Sequence, residues 1–257
     1  MQINRAGVTG FLLCFTAIIF GVATNGGIQT IHNFIHLPSF IVTVGGALFA
    51  VLITADSFGD FRLGLKGFSY ALLGSATNLD EITDSIYEMS DLARKEGLLS
   101  LEEKGTQLPD SYLAKGISLV VDGTEPDLIR DIMETEMTHK YENDKKQIRF
   151  WQDLGAYAPA WGMVGTLIGL INMMKTMGAD SSAIGAGMSL ALITTLYGSI
   201  IANWICIPIA RKLEKKSAAE YLEREIMIEG VLSIQAGENT RIIKEKLKAI
   251  INEEGEK

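Results

Sequence analysis

Charge is missing from four long stretches of this 257-residue chain: residues 7–22, 39–55, 154–174 and 187–209 hold no Asp, Glu, Lys or Arg. Cysteine is scarce as well. Cys14 and Cys206 both fall inside these runs, so no disulfide or zinc framework is written into the sequence, and two thiols in apolar surroundings read as small core residues. The three histidines, His32, His36 and His139, have no companions at metal-ligand spacing. A nucleotide loop, a metal cluster and a nucleophile with its base are all lacking, which removes the common enzyme constellations and leaves no resident cofactor to expect. Lys and Arg number 23 against 31 Asp and Glu, so a basic nucleic-acid footprint is lacking too.

What is present is apolar residue in blocks, at a mean hydropathy of +0.21. With flanking residues each uncharged run approaches the roughly 20 residues that cross about 30 Å of hydrocarbon. The sequence therefore predicts an all-α, polytopic membrane protein with four transmembrane helices. Residues 1–55 hold the first two, 56–153 form a helical cytoplasmic domain, 154–210 hold the third and fourth, and 211–257 form a cytoplasmic helical tail. Residues 56–153 carry eleven Lys and Arg, residues 211–257 carry ten, and Arg5 precedes the first run; only Lys175 lies across the membrane from them. The positive-inside rule then puts both termini and the central domain in the cytoplasm, with short external loops near 24–37 and 175–186. Arg5, the apolar run and the small pair Gly21 and Ala23 also imitate a signal peptide; a retained span is the preferred reading.

Pro38 suits the start of the second span. Gly45-Gly46 within that span allows either a close backbone approach or a bend. In the central segment, Thr77 or Asn78 is positioned to cap a helix with Ile82, Ile86, Met89 and Ala93 on one face, and Gly97 supplies its stop. A short apolar stretch covers residues 111–121, and a helix starting near Pro126 carries Ile129, Ile132, Met133 and Met137 toward the third span. Arg211, Lys212, Lys215 and Lys216 sit where lipid head groups begin. The tail interleaves Ile226, Val231, Ile234, Ile242, Leu247 and Ile250 with charge, a pattern that predicts folding back onto the central segment.

The third and fourth spans bear the chemistry. Pro159, Gly162, Thr166 and Gly169 share one helix face, and Gly165 with Gly169 makes a GxxxG pair. In the fourth span Ala191, Thr195, Ser199 and Asn203 recur every fourth residue, and Pro208 follows. Small residues and hydroxyls of this kind serve ordinary helix packing. The hydroxyls of Thr166, Thr194, Thr195 and Tyr197, together with two intramembrane prolines that free backbone carbonyls, also suit water, a proton relay or a small hard cation. A working ion path normally shows a carboxylate at depth, so here that group must come from a partner.

The run Ala158-Pro159-Ala160-Trp161-Gly162-Met163-Val164-Gly165-Thr166, continuing to Gly169, resembles that of the MotA stator subunits of bacterial flagellar motors. So do Thr194-Thr195-Leu196-Tyr197-Gly198, Ala202-Asn203 and Pro208-Ile209-Ala210. The likeness covers nearly the whole chain and implies a multi-pass subunit of the bacterial inner membrane, assembled as a homopentamer among membrane lipids. The ring would surround two copies of a MotB-like partner whose single span supplies the ion-carrying aspartate. In such motors the ring turns around the partner and pushes the rotor protein FliG. Pro159 and Pro208 match the two coupling prolines, and Thr195 matches the hydroxyl beside the ion path. Arg94 and Glu102, exposed charges eight residues apart, match the rotor-facing pair; by themselves they read as solubilising charge. Thr166 is similar to sodium-using members, whereas the breadth of the family favours protons. The competing readings are an ExbB or TolQ energiser of envelope transport, whose usual three spans fit less well, and a membrane scaffold without ion flux.

Overall fold

The computed structural model describes residues 5–72, 79–176 and 181–255. The capping of a helix by Thr77 or Asn78 lies outside them. In chain order the helices are α1 (Arg5–Gly26), α2 (Leu37–Phe40), α3 (Gly46–Thr54), α4 (Phe58–Leu72), α5 (Leu79–Glu96), α6 (Leu101–Thr106), α7 (Ser111–Val121), α8 (Pro126–Thr176), α9 (Ser181–Ile200), α10 (Ile207–Gln235) and α11 (Thr240–Gly255). Helical turns of π geometry, Ile41–Gly45 and Ile201–Cys206, join α2 to α3 and α9 to α10, so the second and fourth spans are continuous. Among the described residues there is no β-strand, and four helical segments are long and apolar enough to cross a membrane. The all-α, four-span reading of the sequence therefore stands.

The chain divides into two compact units. The first comprises Met1–Ser75 and Asp144–Glu214 and contains the four apolar segments. Its helices meet through small residues. A Cβ at Gly46 would collide with the Trp161 ring, so Gly46 serves close approach, whereas one at Gly45 would meet only Phe49 of its own span at 3.9 Å. The adjoining π turn is a local departure from α geometry of the kind that bends a helix. Helix α1 is anchored by Trp204, whose ring stacks on Phe11 at 4.5 Å between centroids and whose indole N–H donates to the Phe11 carbonyl at 3.2 Å.

Helix α4, absent from the sequence reading, also belongs to this unit. It buries Gly64, Gly67 and Ala71, and Phe150 and Trp151 of α8 fill the space those small residues leave. The Trp151 indole donates to the Gly64 carbonyl at 3.0 Å. Its buried face is glycine and alanine rather than large apolar residues, so hydrophobic periodicity does not flag it.

The second unit comprises Ala76–Asn143 and Lys215–Lys257. It is built on Ile86, Met89, Leu101, Leu113, Ile117, Ile129, Met133, Ile226, Ile234, Ile243 and Leu247, a cluster drawn from α5 to α8 and from α10 and α11. The tail thus folds onto the central segment, as its interleaved apolar residues predict. Asp110 caps α7 by accepting from the Tyr112 and Leu113 amides at 2.8 and 2.9 Å. Helix α5 ends at Gly97, whose φ of +89° lies where a Cβ is costly. The Tyr112 hydroxyl donates to the Met133 carbonyl at 2.7 Å, and burial pushes its pKa up.

Candidate functional site

The intramembrane site is made by the contact of α8 with α9. Ideal side-chain carbons placed at Gly162, Gly169 and Gly198 would sit 2.8, 2.6 and 2.6 Å from the carbonyl oxygens of Thr194, Gly187 and Ala158. The two backbones therefore touch, which no side chain larger than hydrogen at those positions permits. Thr194, with no exposed surface, lies against Gly165 and donates back to Leu190 or Ala191 carbonyls at 2.9 and 3.0 Å. It is a packing residue of this contact.

That closeness brings two of the sequence-derived hydroxyls together. Thr166 Oγ1 and Thr195 Oγ1 are 2.6 Å apart, and both lie within reach of the Ala191 carbonyl, at 2.9 and 3.2 Å. Two hydroxyls offer only two protons. When one donates to the other and the second donates to the Ala191 carbonyl, each oxygen keeps a lone pair for water, a protonated group or a cation. Thr195 is exposed and Thr166 half-buried, so the pair opens on the surface of the unit. Ser199 and Asn203, at four-residue steps beyond Thr195, are exposed too, which gives the fourth span a polar outer stripe.

Tyr197 is not part of this pair. Its hydroxyl donates to the Phe34 carbonyl and accepts from the His36 amide at 3.1 Å, tying α9 to the loop before α2. His36 in turn caps α2, its Nδ1 accepting from the Ser39 amide at 3.3 Å. Pro159 and Pro208 are both exposed. Pro159 stands against Gly198, where an added Cβ would come within 3.0 Å of the Pro159 Cα. Pro208 follows the π turn Ile201–Cys206 by two residues. Each proline lacks the N–H that would pair with the carbonyl four residues earlier, Gly155 or Trp204, and marks a place where its helix can bend. The π turn, a geometry frequent at functional positions, leaves no signature in the sequence. The four uncharged runs contain no carboxylate; the nearest to the third is Asp153, half-buried, its pKa raised by burial against the opposing pull of Arg149.

In the second unit, Arg94 lies in the last turn of α5 and Glu102 in the first turn of α6, on either side of Gly97 and the 3₁₀ turn Leu98–Ser100. Buried Leu101 and the approach of Gly105 to Ile117 pin α6 to the core, so the charges beside it face outward. Arg94, Lys95, Glu96, Glu102 and Glu103 are all exposed, and among the described residues none of the five enters an ion pair. Leu99, 74% exposed, stands among them. The result is a charged rim with an apolar tip, whose charges are uncommitted.

The family described as the MotA/TolQ/ExbB proton channel family matches residues 104–254. The motility protein A of Treponema phagedenis is 37% identical over 252 residues, covering 97% of this chain and 94% of that protein. Two solved structures share the fold. The MotAB structure of C. jejuni superposes with a TM-score of 0.86 at 27% identity over 96% of both chains, and the flagellar MotAB stator complex from Bacillus subtilis with 0.82 at 30% identity over 93% of both. Near-complete coverage, four apolar helices and the touching glycine faces of α8 and α9 agree: the chain belongs to the MotA/TolQ/ExbB proton channel family, as a membrane-embedded flagellar stator subunit and not an enzyme.

Proposed function

We propose that this subunit works with a MotB-like single-span partner whose aspartate loads and releases an ion at the surface bearing Thr166 and Thr195. The observation that carries the reading is the hydroxyl pair itself: an exposed, partly unsatisfied polar spot on spans that hold no carboxylate of their own. The ion is the proton in preference to sodium, and no resident cofactor is invoked. Pro159 and Pro208 are the flexing points that convert loading of the partner into movement. Thr194 and Tyr197 hold the path's walls. A transmembrane potential supplies about 2.3 kcal/mol per elementary charge per 100 mV, enough to bias such a step strongly.

In this reading five copies surround the partner in the lipid of the bacterial inner membrane. Residues 1–55 and 154–210 supply the spans, and both termini, residues 56–153 and the tail lie in the cytoplasm. There Arg94 and Glu102 register the ring against FliG by charge complementarity, which steers a transient contact more than it tightens it.

The test is cation flux into vesicles. The chain reconstituted alone should conduct nothing, and the chain with its partner should pass protons down an imposed gradient. Robust gradient-driven conductance by the chain alone would refute the division of labour. In cells relying on this stator, collapsing the proton gradient should stop swimming; cells that respond only to collapse of the sodium gradient would reverse the choice of ion. Charge reversal at Arg94 or Glu102 should reduce torque while leaving flux intact.

A further inference from the structure

An apolar groove of about 240 Å³ opens within the first unit between α1, α4 and the start of α10. Phe11 and Trp204, stacked on each other, line it. Gly10 leaves room on the α1 side, since an added Cβ there would meet nothing within 4 Å. Pro208 and Ile209 line it from α10.

Two polar side chains border this space. Asn203 spends its amide on the Ser199 carbonyl of its own helix at 3.0 Å. Lys212 is different. It is half-buried, among the described residues it enters no ion pair, and burial without any compensating carboxylate lowers its pKa. A partly desolvated ammonium lining an apolar groove is costly unless an anion meets it. In a unit that spans a bilayer, the molecule that joins an anion to an apolar chain and surrounds the protein on all sides is a charged lipid.

We propose that this groove holds an acyl chain of an anionic phospholipid whose head-group phosphate pairs with the Lys212 ammonium. The chain lies along Trp204 and Pro208, so the lipid wedges the first span against the point where the fourth span can bend. The inference needs only that the first unit crosses a membrane, and stands whatever ion or partner the subunit uses.

Trp204 makes the site observable. The full chain is placed in phosphatidylcholine vesicles containing brominated phosphatidylglycerol or brominated phosphatidylcholine, and the difference in quenching between wild type and Trp204→Phe isolates the Trp204 signal. Brominated phosphatidylglycerol should quench that signal at about fivefold lower mole fraction than brominated phosphatidylcholine, the advantage expected of one lysine near anionic lipid. Lys212→Gln should equalise the two lipids, and Gly10→Leu, which fills the groove, should weaken quenching by both. Equal quenching in the wild type, or a preference that survives Lys212→Gln, overturns the proposal. Quenching by neither lipid also overturns it, because protein then occupies the groove. Should Gly10→Leu fail to fold, Lys212→Gln decides alone, since it removes the charge and leaves a polar side chain only one bond shorter.

Discussion

The core of the second unit and the α8–α9 contact of the first place large apolar residues in opposite positions. Among the described residues, the largest side chains that are fully buried, such as Ile86, Leu113, Ile117, Ile234 and Leu247, all belong to the second unit. In the first unit the buried positions of the α8 and α9 contact are mostly small, among them Ala158, Gly162, Gly165, Gly169, Gly187, Ala191, Thr194 and Gly198, while Leu167, Ile171 and Leu192 are more than half exposed. The difference teaches that the solvents differ. In water, burying large apolar surface is the driving force for folding. In lipid, a leucine gains little by leaving the tails, so helices associate by bringing backbones close and satisfying hydroxyls locally.

Truncation of large residues should break this comparison most visibly. Ile117→Ala, at a site with no exposed surface, is expected to cost about 2–5 kcal/mol, read as a lowered unfolding midpoint of the second unit and faster proteolysis within it. Leu167→Ala, at 55% exposure in the first unit, should change stability by less than about 0.5 kcal/mol in the same assay. Equal losses would mean that the two units are held together by the same force.

Enlargement of small residues should be costly at the α8–α9 contact, where truncation of large ones is not. Gly198→Val places carbon against the Ala158 carbonyl and should cost about 3 kcal/mol, measured by thermal unfolding in detergent and by the amount of protein in the membrane. The same change at Gly10, where a Cβ has open space, should be tolerated far better.

Removing a hydroxyl sharpens the picture further. Thr195→Val preserves shape and should lower stability by no more than about 1 kcal/mol while sharply reducing ion-driven motility at unchanged expression. Thr194→Val, buried against Gly165, should show mainly the stability loss. Equal motility defects from the two would place the path elsewhere.

The smallest effect concerns pH and belongs to the second unit. A hydrogen bond from Lys246 at 2.7 Å holds Glu238 below its ordinary 4.5 and raises Lys246 above 10.5. A carboxyl depressed by folding contributes its stability above 4.5 and loses it as pH falls through the lowered value; the lysine contributes below 10.5 and loses it as pH rises through the raised one. Hydrogen exchange in α11 should therefore quicken at both extremes, and Glu238→Gln should flatten the acid limb.

Much of the fold was legible because the hydrophobic pattern is strong. Four uncharged runs give four spans, Gly97 stops α5, Pro126 starts α8, and Ile226, Val231, Ile234, Leu247 and Ile250 of the tail return to the core of the second unit, whereas Ile242 is 52% exposed and Ile243 takes the buried place. Helix α4 was not legible, because glycine at 64 and 67 reads as a helix breaker until Phe150 and Trp151 occupy the space it leaves. Of four candidate hydroxyls in the spans, the geometry joins only Thr166 and Thr195. Thr194 and Tyr197 differ from them in direction rather than type, and one turn of helix decides whether a hydroxyl meets a neighbouring glycine, a loop carbonyl or open surface.

Composition and spacing alone determined that this chain crosses a membrane four times, that its spans carry no ion-binding carboxylate, and that small residues repeat along the third and fourth. Those properties are set by the cost of charge in hydrocarbon and by helical periodicity, both of which act locally. Only the tertiary structure decided which small residues touch, where the π turns fall, and that Lys212 stands over a groove beside Pro208. These depend on the rotation and separation of helices distant in sequence, fixed by backbone contact across the interface rather than by any segment on its own.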